Sequence, residues 1–258
     1  MGAVCVMGIV NVTPDSFSGD GLTDHESAIA RGLAMARAGA QIIDVGGEST
    51  RPGHSPVTVG EEIRRAVPVV EALAHDGLTV SIDTSKLEVA RAAADAGAAI
   101  VNDVWGLQRS PGIATLAAER GLRLVLMHNQ QCTEYPGDLI QALRAGLAES
   151  LRRAVSAGVP QERVILDPGI GFGKTAEQNL VVLRRLHELR RLGCPILVGP
   201  SRKSFLGKLF GQDMAMRVWG TAAAVTAAIL RGADIVRVHD VPEMLAVARV
   251  AEALRLEQ

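Results

Sequence analysis

The sequence predicts one (β/α)8 barrel with its active site at the C-terminal ends of the strands, a single domain spanning residues 1–258. Three observations carry that expectation. Eight short runs are nearly continuous in apolar and β-branched residues, segments of helical period lie between them, and the chain has 258 residues, close to the roughly 250 that one such barrel needs. The runs lack the strict alternation of a half-exposed sheet, as expected of parallel strands covered on both faces.

In chain order, strand one is expected at 4–10, followed by helical period at 27–38 that ends at Gly39. Strand two at 41–46 leads to a helix at 61–75 and Gly77. Strand three at 79–83 leads to a helix at 87–96 and Gly97. Strand four is placed at 99–104 and strand five at 123–128, the latter followed by a helix at 139–157 and Gly158. Strand six at 163–167 precedes a helix at 176–191 and Gly193. Strand seven at 195–199 precedes a helix at 216–230 and Gly232. Strand eight at 235–240 is followed by a closing helix at 242–254. A glycine just past a helix suits the left-handed C-terminal cap. An open doubly wound sheet is the alternative, but it uses fewer units and a Gly-rich turn after strand one. Strand one here runs into Asn11-Val12-Thr13-Pro14-Asp15. No linker, repeat or low-complexity tract divides the chain.

Composition narrows the function class. The formal net charge is −1 and the pI about 6.6, which gives no global attraction to nucleic acid or anionic membrane. No apolar stretch approaches the roughly 20 residues of a membrane span. The start of the chain carries no secretory pattern, and Cys5, Cys132 and Cys194 are widely spaced. A cytoplasmic, reducing location is expected, with neither a disulfide framework nor a zinc site.

The strand ends carry Asn11, Asp44, Asp83, Asn102 with Asp103, His128, Asp167, Ser201, and Arg237 with His239. Any one of them serves as a helix cap. Together they are better explained by one polar pocket at the mouth of the barrel, because a polar group ending a buried strand costs free energy without a partner. The pocket has both signs. Arg51, Lys203, Arg237 and His239 suit an anion, since guanidinium groups pair with phosphate oxygens. Asp83, Asn102 and Asp167 suit ring N–H and amino donors. A nucleotide or a pterin with a polyphosphate tail satisfies both.

Eight segments then narrow the choice: 7–18, 44–53, 81–84, 101–103, 126–129, 166–175, 201–207 and 237–241. Among them are Asp44-Val-Gly-Gly-Glu-Ser-Thr-Arg-Pro-Gly53, Leu166-Asp-Pro-Gly-Ile-Gly-Phe-Gly-Lys-Thr175 and Ser201-Arg-Lys-Ser-Phe-Leu-Gly207. In this order they resemble the signatures of the dihydropteroate synthases over nearly the whole chain. The resemblance implies a transferase of folate biosynthesis that condenses 6-hydroxymethyl-7,8-dihydropterin diphosphate with 4-aminobenzoate, by loss of diphosphate and then attack by the amine.

It also implies roles. Asp83, Asn102, Asp167 and Lys203 would hold the pterin, and Met127 would pack on the ring, although a core methionine is nearly as good a reading. Thr50, Arg51, Arg237 and His239 would cradle the diphosphate, with Asn11 helping to hold Mg2+. Pro52, Phe172, Gly199 and Ser204 would complete the substrate sites, and Lys203, Arg237, Asp83 and Asp167 would be the catalytic set. Segments 13–23 and 49–59 would act as lids, with Phe17 covering the second substrate. A homodimer packed through late helices and a role as sulfonamide target come with the family.

Three features depart from the family pattern. The acid of the first loop stands at Asp20 rather than directly after Ser18. Residues 129–132 read Asn-Gln-Gln-Cys after the strand-five histidine. The chain begins almost at strand one, where many members carry a hairpin. A pterin-binding methyltransferase shares the expected fold and acids, but has no need for a diphosphate clamp or for Ser201-Arg-Lys-Ser204.

Overall fold

The computed structural model describes residues 3–13, 23–48, 56–210 and 216–255. Its strands are β1 (Cys5–Asn11), β2 (Ile42–Gly46), β3 (Val80–Asp83), β4 (Ile100–Asp103), β5 (Arg123–Met127), β6 (Val164–Asp167), β7 (Leu197–Val198) and β8 (Ile235–Val238). All pair in parallel, in the order β6-β5-β4-β3-β2-β1-β8-β7. A Leu166–Ile196 bridge and a bond from the Leu166 N–H to the Pro195 carbonyl bring β6 to β7 and nearly close the ring.

The helices are α1 (Thr23–Arg37), α2 (Val59–His75), α3 (Leu87–Asp95), α4 (Gly112–Arg120), α5 (Leu139–Ser156), α6 (Ala176–Arg184), α7 (Ser204–Phe210), α8 (Met216–Leu230) and α9 (Val241–Leu254). All six helix-ending glycines have positive φ. Two segments differ from the sequence expectation. Strand seven shrinks to two residues, because Pro195 lacks an N–H and Gly199-Pro200 turns the chain. The helix expected over 176–191 breaks at Arg185, whose guanidinium reaches Asp138 and Glu188, and continues as a 3-10 segment, Leu186–Leu192. Helices α4 and α7 had no range from the sequence, although eight strand–helix units imply a helix after each strand. One starts Pro-Gly and the other holds two short turns with an internal Gly207, so neither shows a full amphipathic period.

Successive side chains on a strand face opposite ways, and this sorts the core into two parts. One face of the strands, including Val6, Val10, Ile43, Val45, Ile82, Val101, Leu124, Leu166, Val236 and Val238, packs on the helices in the main core. The other fills the barrel with a separate apolar layer: Met7, Ile42, Ile100, Val125, Ile165, Leu197 and Ile235. Two residues further along six of these strands or their ends stand Asp44, Asn102, Met127, Asp167, Gly199 and Arg237. The same period that seals the lumen with aliphatic side chains therefore places a polar layer directly above it, at the C-terminal mouth.

Candidate active site

A cleft with about 300 Å³ of empty space, open solvent at its mouth included, is lined by Asn102, Val104, Met127, Asp167, Ile170, Phe172, Gly199, Lys203 and Arg237. Seven of these nine are residues expected from the sequence. Val104 and Ile170 are additions, aliphatic walls that the strand-end pattern does not mark.

Arg237 enters from β8 and reaches past β1 to the acids of β2 and β3. Its Nε donates to Asp44 Oδ2 at 2.6 Å and its Nη2 to Asp83 Oδ2 at 2.7 Å. Asn102 Nδ2 donates to the same Asp44 oxygen at 3.1 Å. Both carboxylates are buried, and this is why the strand ends tolerate them. Asp44 was recognised in sequence only as a strand end; here it orients both Arg237 and Asn102. Burial pushes Asp83 up to about 7, with Arg237 opposing and Asp44 adding to the rise. Burial works against the charge of Arg237, but Asp44 and Asp83 more than offset it and hold the guanidinium protonated. One cation between two acids thus leaves a carboxyl that takes a proton near neutrality. Oδ1 of Asp83 is buried without a protein partner among the described residues.

Asp167 ends β6. The Gly169 N–H donates to its Oδ1 at 2.7 Å. Burial raises it to about 6, opposed by that hydrogen bond and by Lys203, Lys174 and Arg237. The turn that follows is built of glycines at positive φ. A Cβ on Gly169 would lie 2.1 Å from the His128 carbonyl, and one on Gly171 would lie 2.9 Å from Lys203 Cδ. The Phe172 N–H closes the turn on the Gly169 carbonyl at 3.1 Å. The turn presents the Phe172 ring to Lys203, whose Nζ lies 3.9 Å from its centroid, a cation–π geometry.

At the rim, Ser201 Oγ and His239 Nδ1 are 3.0 Å apart, and the His239 N–H donates to the same hydroxyl at 3.2 Å. Arg202, at φ 56°, ion-pairs with Asp240 and takes the Thr221 hydroxyl on its N–H. These contacts join the loops after β7 and β8. Ser204 is exposed at the start of α7. A Cβ on Gly46 would lie 3.6 Å from Asp83 Cβ and 3.7 Å from Asn11 Oδ1, which sets Asn11 beside the buried acids. Thr50, Arg51, Pro52, Phe17, Asp15 and Asp20 lie outside the described residues, as do 14–22 and 49–55 of the two expected lids.

A buried pair of acids, an amide and a lysine over an aromatic ring can hold a flat heterocycle rich in N–H donors. No helix among the described residues is long and apolar enough to cross a membrane.

Comparison with known proteins agrees with this chemistry. Residues 7–239 match the sequence family described as pterin binding enzyme. The dihydropteroate synthase of Synechocystis sp. is 49% identical over 259 residues, covering 96% of this chain and 89% of that protein. A dihydropteroate synthase from Clostridium difficile, crystallised in the presence of pteroic acid, superposes with a TM-score of 0.95 at 46% identity, covering 99% of this chain and 98% of that one. The Xanthomonas albilineans dihydropteroate synthase in complex with 7,8-dihydropteroate gives 0.90 at 41% identity, with 99% and 95% covered.

Proposed function

This chain belongs to the pterin binding enzymes and, within them, to the dihydropteroate synthases, and from that membership we propose that it condenses 6-hydroxymethyl-7,8-dihydropterin diphosphate with 4-aminobenzoate to give 7,8-dihydropteroate and pyrophosphate. The observation that carries this reading is the polar layer above the apolar plug, where Asp167 and Asn102 converge with Lys203 and Arg237 on one cleft and Asp83 stands behind it, on Arg237.

In this reading the ionised Asp167 accepts from the amino-pyrimidinone edge, and Asn102 and Asp83 complete the ring contacts. Met127, Val104 and Ile170 pack on its faces. The aryl amine is neutral at pH 7, so the work is to position it, to stabilise the leaving diphosphate and to exclude water from a pterin cation. Phe172, Pro52, Ser204 and Gly199 take the 4-aminobenzoate. Thr50, Arg51, Arg237 and His239 stabilise the diphosphate, with Arg237 held in place by Asp44 and Asp83.

Mg2+ fits this donor set. Asn11 offers one neutral hard oxygen beside the acids, and no group of three acids, histidines or cysteines able to hold a metal occurs among the described residues. Asn11 would therefore share the ion with substrate phosphate oxygens and water, as Mg2+ prefers. When bound, the ion neutralises charge on the leaving group.

We assign the chain to the cytoplasm as a sulfonamide target, since such drugs mimic 4-aminobenzoate. We also assign it a homodimer formed through α8 and α9, where Trp219, Val250 and Leu254 are exposed. The test of function is release of pyrophosphate from the pterin diphosphate. Release that requires both 4-aminobenzoate and Mg2+ supports the reading, and no release with both present refutes it.

A further inference from the structure

Lys174 lies two residues beyond Phe172 and looks in sequence like an ordinary loop lysine. The fold buries it, at 8% exposure. Its Nζ donates to the Gly169 carbonyl and to the Phe172 carbonyl, each at 3.0 Å. These are the two ends of the turn between Asp167 and the aromatic ring, and the Gly169 N–H binds Asp167. The segment after β5 packs on the residue before it: the Tyr135 hydroxyl donates to the Gly173 carbonyl at 2.9 Å, and a Cβ on Gly173 would lie 2.5 Å from the Gln130 carbonyl.

A buried ammonium is costly unless its charge is balanced, and two carbonyls of one turn balance it only in part. The charged groups around it are Asp167 on its own loop and Lys203 after β7; His128, at the end of β5, is held neutral by burial and by Lys174, its nitrogen drawn down to about 4. Asp167 in turn faces Lys174, Lys203, and Arg237 on β8.

We propose that Lys174 is a positioning residue: its ammonium fastens the Gly169–Phe172 turn, so that Asp167 and the Phe172 ring share one fixed geometry, and its charge balances the Asp167 carboxylate from behind. The role deepens the pterin reading of the cleft and rests on it. Lys174 touches no substrate in this arrangement, because the turn stands between it and the open space. Burial draws the lysine down to about 7, with Asp167 opposing that fall, so the balance is expected to weaken as pH rises through neutrality.

The test reads Asp167 directly. Its carboxyl carbon is titrated by 13C NMR in the ligand-free protein, with the signal assigned by its loss in Asp167→Asn. In Lys174→Met the midpoint is expected to rise by about 1 pH unit, the size of a lost neighbouring charge, while Lys174→Arg stays close to the parent. If the methionine variant does not fold, Lys174→Gln replaces it. A midpoint within about 0.3 unit of the parent in a folded, uncharged variant overturns the proposal, because a lysine that set the geometry and charge around Asp167 could not be removed without moving its titration. Pyrophosphate release by the parent is measured separately. Its absence would remove the synthase reading, while the titration would still decide the role of Lys174.

Discussion

Replacing Arg237 by glutamine removes the cation that, among the described residues, ion-pairs with both Asp44 and Asp83. Breaking a buried pair from one side costs about 3–5 kcal/mol, because the other charge stays behind uncompensated. Both hydrogen bonds are short and Asp44 is fully buried, so the upper half of that range is expected. Unfolding a chain of this length gains roughly 0.5 kcal/mol/K of entropy, and the midpoint should fall by about 8–10 °C.

The deficit depends on pH. Asp83 already sits at about 7 in the folded protein, above its unfolded value, so its contribution favours folding at low pH and is lost as pH rises through about 7. Without Arg237 the carboxyl climbs further. The loss is therefore largest near pH 8 and shrinks toward pH 5, where Asp83 is neutral in both proteins. Thermal unfolding followed by circular dichroism at both pH values is the assay, and adding Asp83→Asn should restore part of the loss. A deficit under about 1 kcal/mol, or one equal at the two pH values, would refute the claim that Arg237 stabilises the buried acids.

Asp167→Asn should remove most turnover while the fold persists, because an amide cannot accept from two ring donors as a carboxylate does. The parent should show kcat/KM for the pterin diphosphate rising with pH, with a midpoint near 6 set by Asp167; a limb unchanged in the variant would remove Asp167 from the ring. Gly171→Ala should raise KM by at least about tenfold, since its Cβ would meet the Lys203 stem at 2.9 Å on a left-handed backbone; unchanged kinetics would show that the turn yields.

The barrel was legible because buried parallel strands read as apolar runs whatever their partners. Strand seven was overdrawn because Pro195 and Gly199 flank it with residues that extend an apolar run without extending a ladder. Helix α4 had no range from the sequence because its nine residues follow Pro111 and open on Gly112, which mask a buried face of Ile113, Ala114, Leu116 and Ala117. For the site, strand ends led to Asn102, Asp167 and Arg237, whose chemistry is polar, while Met127, Phe172 and Gly199 came only with the family resemblance; in the fold, inward residues recur two positions after each plug residue. Asp44 was seen as an end but given no duty, because the arginine that explains it is 193 residues away. Lys174 was invisible as a buried group, because its burial depends on a turn that folds back over it to place the Gly169 and Phe172 carbonyls on its ammonium. Ile170 and Val104 carry no chemical signature, so only the folded shape of the cleft identifies them.

A crystal structure with pteroic acid bound tests the central claim most directly. The pterin edge should lie on Asp167 and Asn102, with the benzoate beside Phe172 and directed toward Ser204. A pterin lodged away from Asp167, or a benzoate turned from Phe172, would contradict the account.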